Sequence, residues 1–251
     1  MRWRSERPGA LDANAMTFDD GDNRAQRLLL TLVLDISSSM AGKPIKLLND
    51  ALAGMAEDLR HDVNLSAIAE IAIITFGNAG VTAWQGERAI SNGSSPFVPA
   101  ARFVAPTLRA GGVTPMVSAV ERAMQCVADE KAALKRRHLQ YFQPLVWLVS
   151  DGCPTGPTGE PSDDWRHLPA IIRKAEDERR FVFFTVSAGD IDASGDAVLK
   201  ELAPDAHLRL EGFEFSRMLK LVSASAESAA RGAGSEAIKR IVTIQRPAPR
   251  W

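Results

Sequence analysis

Two cysteines, one tyrosine and four histidines are all that this chain of 251 residues supplies, and each scarcity removes a class of chemistry. Cys126 and Cys153 make no disulfide framework; one falls in a helical pattern, the other just after Asp151, and both are expected to be free thiols. Cys153 has no histidine beside it in sequence to activate it, so it reads as a small loop residue and not as a nucleophile. His61, His138, His167 and His207 are too scattered to pair at zinc-ligand spacing. No apolar run approaches the roughly 18 residues that a membrane-crossing helix needs. The first residues, MRWRSERPGALDANAM, carry charge with no apolar stretch behind it, so a secretion signal is not expected and the protein is expected to be cytoplasmic. Charge of one sign is lacking too. Lys and Arg total 30 against 31 Asp and Glu, a net charge of −1 that gives no general attraction to nucleic acid or an anionic membrane. Walker and G-x-S-x-G patterns are missing and no Ser/His/Asp set is evident, so nucleotide or serine-type hydrolysis has no visible machinery.

What the chain does have is concentrated in Arg27 to Met40, RLLLTLVLDISSSM, where an apolar strand delivers Asp35, Ser37 and Ser39 in the spacing D-x-S-x-S at its carboxyl end. In an α/β sheet that end is where ligands characteristically sit. One carboxylate and two hydroxyls are hard oxygen donors, suited to Mg²⁺ or Mn²⁺ and poorly suited to a soft metal. Ser-rich turns after strands also arise simply as helix caps, so the reading needs support from elsewhere. Two later segments give it. Gly111-Gly112-Val113-Thr114-Pro115 precedes a helical pattern, with Thr114 expected at the helix N-cap and Pro115 at the first helical position. Val146 to Gly152, VWLVSDG, ends a second apolar strand at Asp151.

These five residues, in this chain order, resemble the von Willebrand factor A (VWA) family, whose metal-ion-dependent adhesion site (MIDAS) combines D-x-S-x-S with a separate Thr and a separate Asp. The resemblance covers about residues 27 to 228 and assigns Asp35, Ser37, Ser39, Thr114 and Asp151 as metal ligands. It implies an α/β, doubly wound, Rossmann-like fold, with a mainly parallel sheet, one antiparallel edge strand and helices on both faces. Shorter words, Gly42-Lys43-Pro44-Ile45, Ser150-Asp151-Gly152-Cys153-Pro154-Thr155 and the Phe213 to Ser228 region, are similar to the bacterial tellurite-resistance-associated (TerY-like) VWA proteins. That narrower resemblance implies a stress-response setting and two partners, a PP2C-type phosphatase and a protein kinase.

The periodicity agrees with such a fold. Residues 1–25 are polar without either period and are expected to be a flexible extension, followed by a domain over 26–229 and a tail over 230–251 in which Ile241 to Ile244 could add an edge strand. Strands are expected at about 27–35, 68–76, 142–150, 181–187 and 207–210, with Val81 to Trp84 as a hairpin partner at the sheet edge. Pro44 opens a helix with apolar Ile45, Leu48, Leu52, Met55 and Leu59 on one face. Further helices are expected at about 115–136, 163–180, 195–203 and 214–229, and a long loop at 86–111. Alternating strands and helices imply a parallel sheet covered on both sides. Trp84, Trp147 and Trp165 read as packing residues, since no basic-aromatic interleaving accompanies them, and Arg136-Arg137 as a solvated helix end.

Asp190 to Glu201, DIDASGDAVLKE, matches the spacing of a calcium-binding EF-hand loop, but the residues before it read as a strand where an EF-hand needs a helix; a loop with Asp196 or Ser194 capping a helix is expected instead. Asp19-Asp20-Gly21-Asp22 reads as a solvated acidic tail.

For the five-residue site, Mg²⁺ is the expected ion, with Mn²⁺ or Ca²⁺ as substitutes. Ser37, Ser39 and Thr114 are expected to bind it, Asp35 and Asp151 doing so directly or through water. The expected function is a non-enzymatic adaptor that holds an Asp or Glu of a partner protein through the ion, with no role for nucleic acid or membrane. One rival is a Mg²⁺-dependent phosphohydrolase, which also begins with Asp at the end of a first strand but usually wants a second Asp two residues on. Here that position is Ser37, a poor proton donor near neutral pH. Another is a purely structural metal that stitches loops together.

Overall fold

The computed structural model describes residues 25–78, 80–91 and 93–244, so the proposed extension ahead of Ala25 and the last seven residues lie outside the described part of the chain. The strands are β1 (Leu28–Ile36), β2 (Ala69–Gly77), β3 (Gly80–Gln85), β4 (Arg88–Ile90), β5 (Val98–Pro99), β6 (Leu145–Ser150), β7 (Val182–Ser187) and β8 (His207–Arg209). The helices are α1 (Lys43–His61), α2 (Val63–Ile68), α3 (Met116–Arg136), α4 (Leu168–Asp177), α5 (Ala193–Leu202), α6 (Phe215–Ala230) and α7 (Ser235–Ile244).

Every residue of β1, β2, β6 and β7 is buried. Near-continuous runs of Leu, Ile, Val and Phe are what a parallel sheet covered on both faces requires. The order is β4-β3-β2-β1-β6-β7-β8, with β1, β2, β6, β7 and β8 parallel. The antiparallel edge is a meander: β3 pairs with the second half of β2, β4 with β3, and β5 with the first residues of β2. Helices α1 and α6 pack together on one face, while α3 and α4 lie on the other, α3 against β1 and β2 and α4 against β7. Trp147 stacks on Phe184 with ring centroids 4.2 Å apart, filling the core as its sequence context suggests.

The chain leaves β1 toward β2 on one side and later returns to β6 on the other, so the strand order switches at β1. The carboxyl ends of β1 and β6 therefore open the crevice where an open α/β sheet binds ligands. This switch brings Asp35 and Asp151, 116 residues apart in sequence, to one edge.

Several expectations need correction. The helix expected over 163–180 is a 3-10 turn, Asp164–His167, followed by the shorter α4. The loop expected over 86–111 contains β4, β5 and a 3-10 turn at Ala100–Arg102. The short α2, capped by the Asp62 carboxylate accepting from the amides of Asn64 and Leu65, had no clear sequence period because it is barely a turn and a half long. Residues 241–244 do not form an edge strand; they end α7, whose Ile238 and Val242 are buried. Ser235, Ile238, Ile241 and Val242 recur at helical spacing, which outweighs the β-branched character of the last four residues. Among the described residues, no helix is long and apolar enough to cross a membrane.

Candidate metal centre

Asp35, the penultimate residue of β1, is 1% exposed. Its Oδ1 accepts the Ser37 amide at 2.8 Å and its Oδ2 accepts the Ser150 hydroxyl at 2.5 Å. Ser37 Oγ lies 3.0 Å from Ser39 Oγ, and Ser39 Oγ donates to Asp151 Oδ1 at 2.7 Å. Four of the five sequence-derived residues are thus linked in one chain of polar contacts, running from the buried Asp35 and Ser37 to the exposed Ser39 and the half-buried Asp151. The inner end is fixed and the outer end is open.

Thr114 is not part of that hydrogen-bonded chain, but its loop is stitched to it. The Gly111 amide donates to Ile36 O at 2.8 Å, and both the amide and hydroxyl of Ser38 donate to Gly112 O. Thr114 itself is 7% exposed and clamped from the other side: its amide donates to Thr155 Oγ1 at 2.8 Å and its carbonyl accepts the Thr155 amide at 3.0 Å. The expected N-cap role is corrected. Pro115 occupies the cap, with ψ 58, and α3 starts at Met116, so the Thr114 hydroxyl is not engaged in capping.

Close approach explains Gly112. Gly112 has φ +74, and a Cβ there would stand 2.7 Å from Gly77 O. Gly112→Ala is therefore expected to lower stability by about 1–3 kcal/mol and to weaken divalent-cation binding by displacing Thr114. Thermal melts and calorimetric titration of the variant test this; unchanged ion affinity would show that the loop position is irrelevant to the site.

Electrostatics favour a cation. Burial, reinforced by the Asp151 charge, raises the Asp35 carboxyl from 3.8 to about 6 against the opposing hydrogen bonds from Ser150 and Ser37. Burial also raises Asp151, with the Ser39 hydrogen bond opposing it. The four linked side chains offer two carboxylates and two hydroxyls, an all-oxygen chemistry that suits Mg²⁺ or Mn²⁺. Octahedral ligands about 2.1 Å from Mg²⁺ stand about 3.0 Å apart along each edge, the separation observed between Ser37 Oγ and Ser39 Oγ. The residues present fit such an ion.

No known family profile matches the sequence, and no curated protein matches it. Solved structures do resemble the fold. The pilus adhesin SpaC from Lactobacillus rhamnosus GG aligns over 82% of this chain and 31% of its own, with TM-score 0.53 and 12% identity. This chain has a VWA-like α/β fold. Proximal thread matrix protein 1 from the mussel byssus, with a zinc-occupied MIDAS motif, aligns over 82% of this chain and 46% of its own, with TM-score 0.47 and 16% identity. The vWF domain of the type V pili tip protein Mfa5 from Porphyromonas gingivalis aligns over 90% of this chain and 99% of its own, with TM-score 0.48 and 10% identity. The VWA-like chain spans between about a third and a half of the length of SpaC and the thread matrix protein.

Within this VWA-like fold, sequence reasoning named Ser150 only as part of a motif, although its hydroxyl holds Asp35. Parallel register places Leu34 beside Val149 and hence Asp35 beside Ser150; the signal becomes readable only once β1 and β6 are known to be neighbours. Asn49 was missed altogether. Its side chain donates to Leu108 O at 2.9 Å and accepts the Leu108 amide at 2.8 Å, tying the long loop to α1.

The Asp190–Glu201 segment is not an EF-hand. Strand β7 enters it, and Asp192, not Asp196 or Ser194, caps α5 by accepting the Gly195 amide at 2.7 Å. Asp196 instead pairs with His207 and Arg209. Burial pushes the Cys153 thiol up, and the thiol lies 3.7 Å from Asp192 Oδ1. That environment disfavours the thiolate a nucleophile needs.

Proposed function

We propose that this chain is a metal-ion-dependent protein-binding module, with Asp35, Ser37, Ser39, Thr114 and Asp151 as the ligands of a Mg²⁺ ion and a partner's Asp or Glu as the group held there. The observation that carries the reading is the polar chain Asp35–Ser37–Ser39–Asp151, buried at one end and open at the other. A divalent cation supplies a Lewis-acidic position for a carboxylate. The protein's own residues do the remainder. Ser150 and the Ser37 amide hold Asp35 in one rotamer, and Ser39 orients Asp151 at the rim. Their two negative charges roughly balance the ion, leaving it able to attract one more carboxylate.

The module proper is assigned to residues 26–229, with α7 packed on it. It is proposed as a non-enzymatic, cytoplasmic adaptor in a bacterial tellurite-resistance or stress-response system, partnered by a PP2C-type phosphatase and a protein kinase. Support for this setting is confined to the G-K-P-I and S-D-G-C-P-T words and the Phe213 to Ser228 region.

The test is capture from native cell extract by wild type and Asp35→Ala, each with Mg²⁺ and with chelator. A protein retained by metal-loaded wild type alone is the expected result, and mass spectrometry then identifies it. Equal retention in all four conditions would remove the metal from the binding mechanism.

A further inference from the structure

Away from the metal centre, α3 and α4 leave between them a groove of about 880 Å³. Its floor includes Met124, Val127 and Phe181, and Ile171 on its wall is 44% exposed, one of three large hydrophobic residues so exposed among the described residues. Its rim is basic: Lys131, Lys135, Lys174, Arg179 and Arg180 face two acids, Glu121 and Glu178. Some of this charge is ordinary helix-end chemistry, since Lys135 and Lys174 lie in the last turns of α3 and α4. Arg179 and Arg180 follow the Glu178 cap of α4, and Arg180 pairs with the Glu178 carboxylate, whereas Lys131 lies inside α3. Arg179, at φ 52, is the left-handed residue that closes α4, its amide donating to Glu176 O and the Arg180 amide to Ala175 O, so the chain turns there with both side chains beside the groove. Lys131 donates to Arg180 O at 2.9 Å with its ammonium 5.3 Å from the Tyr141 ring. Burial and the charges of Lys135 and Arg180 hold it below its ordinary range. An anion seated among these cations would relieve that crowding.

The described chain begins beside this groove. The Arg27 amide donates to Gln140 O at 2.8 Å and Arg27 O accepts the Phe142 amide at 2.9 Å, which sets Arg27 against Tyr141 of the groove wall. Immediately upstream the sequence reads Met16-Thr17-Phe18-Asp19-Asp20-Gly21-Asp22, two apolar side chains and three carboxylates. Nine residues separate Phe18 from Arg27, a reach of up to about 30 Å, against about 21 Å of α3 between Glu121 and Lys135.

We propose that the α3–α4 groove is the docking surface for the chain's own segment Met16–Asp22, its carboxylates on the basic rim and Phe18 on the apolar floor beside Ile171. The tether makes the contact intramolecular, so weak individual contacts suffice at the high effective concentration it gives. The groove then becomes available to an acidic segment of another protein only by displacement.

Zero-length carbodiimide crosslinking of the full chain, mapped by mass spectrometry on a mixture of ¹⁵N-labelled and unlabelled protein, tests the proposal. Amide links from Asp19, Asp20 or Asp22 to Lys131, Lys135 or Lys174 within one copy are expected, at least about tenfold over links to Lys43, Lys46 or Lys220. They should vanish at about 1 M salt, where the screening length is about 3 Å. They should also fall at least about tenfold in Ile171→Glu, a substitution at an exposed position that leaves the fold intact. Links spread evenly over the lysines, links that survive both salt and Ile171→Glu, or links between labelled and unlabelled copies would overturn it.

Discussion

Asp35→Asn is expected to make the metal-free protein more stable and to abolish divalent-cation binding, two effects of opposite sign from one atom change. Asp35 is fully buried, and its carboxyl is raised from 3.8 to about 6. At pH 7.5 it is therefore an anion that burial destabilises relative to the solvated carboxylate of the unfolded chain, at a penalty of about 3 kcal/mol for a shift of about two units. Asparagine removes the charge and can keep the contacts. Its Oδ1 can accept the Ser37 amide as Asp35 does, and its amide can donate to Ser150 Oγ. The Ser150 hydroxyl has a second acceptor in Gly152 O, 3.2 Å away, so reversing that hydrogen bond leaves nothing unsatisfied. Denaturant melts with chelator should show Asp35→Asn more stable than wild type by up to about 3 kcal/mol, and titration with Mg²⁺ or Mn²⁺ should show affinity lowered at least about 100-fold. If the ion were only a structural staple, metal-loaded wild type would gain stability while partner capture in the cold, with chelator, stayed intact. A fall in the metal-free stability of Asp35→Asn would instead show that the buried charge is compensated by something other than an ion.

The charge pattern that drives this prediction was legible in the sequence only in part. The D-x-S-x-S spacing is legible as a candidate site because it sets a carboxylate and two hydroxyls at alternate positions after an apolar strand, and it needed the later Thr114 and Asp151 segments to separate it from a Ser-rich helix cap. Asp151 and Thr114 were legible as ends of elements, since apolar runs and glycine pairs announce where strands and loops stop. Fully buried strands were readable from continuous Leu, Ile and Val. What composition and spacing could not supply was adjacency. Ser150 grips Asp35 because β6 lies beside β1, and Asn49 braces the long loop because α1 passes under Leu108; both depend on strand order and packing, which local periodicity does not encode. The misplaced cap at Thr114 has a similar origin. Thr followed by Pro is a good local start for a helix, but the Thr155 hydroxyl accepting the Thr114 amide and the Thr155 amide donating to the Thr114 carbonyl hold Thr114 outside α3. The C-terminal helix shows the converse: Ile241 to Ile244 favour a strand locally, and burial of Ile238 and Val242 against the body decides for a helix.

Proton and metal should compete at this centre, and the competition fixes a pH window. In the metal-free protein the folded state holds a proton on Asp35 up to about pH 6, whereas the unfolded chain releases it near 3.8. Between those values the native state binds more protons than the unfolded state, so stability falls as pH rises; above about 6 both forms are ionised and the loss of about 3 kcal/mol is complete. A bound cation favours the ionised form and reverses the slope. Apparent ion affinity then follows the fraction of Asp35 that is deprotonated, so it should be about tenfold weaker at pH 5 than at pH 7.5. Asp151, raised in the same direction by burial, steepens the dependence toward the acid side. Calorimetric titration with Mn²⁺ at pH 5, 6 and 7.5, with melts in chelator at the same pH values, reads both slopes in one protein. Opposite slopes, with affinity rising and metal-free stability falling over the same interval, tie the two measurements to one carboxylate. Affinity independent of pH would place the ion away from Asp35, since an ion held there favours the carboxylate over its protonated form.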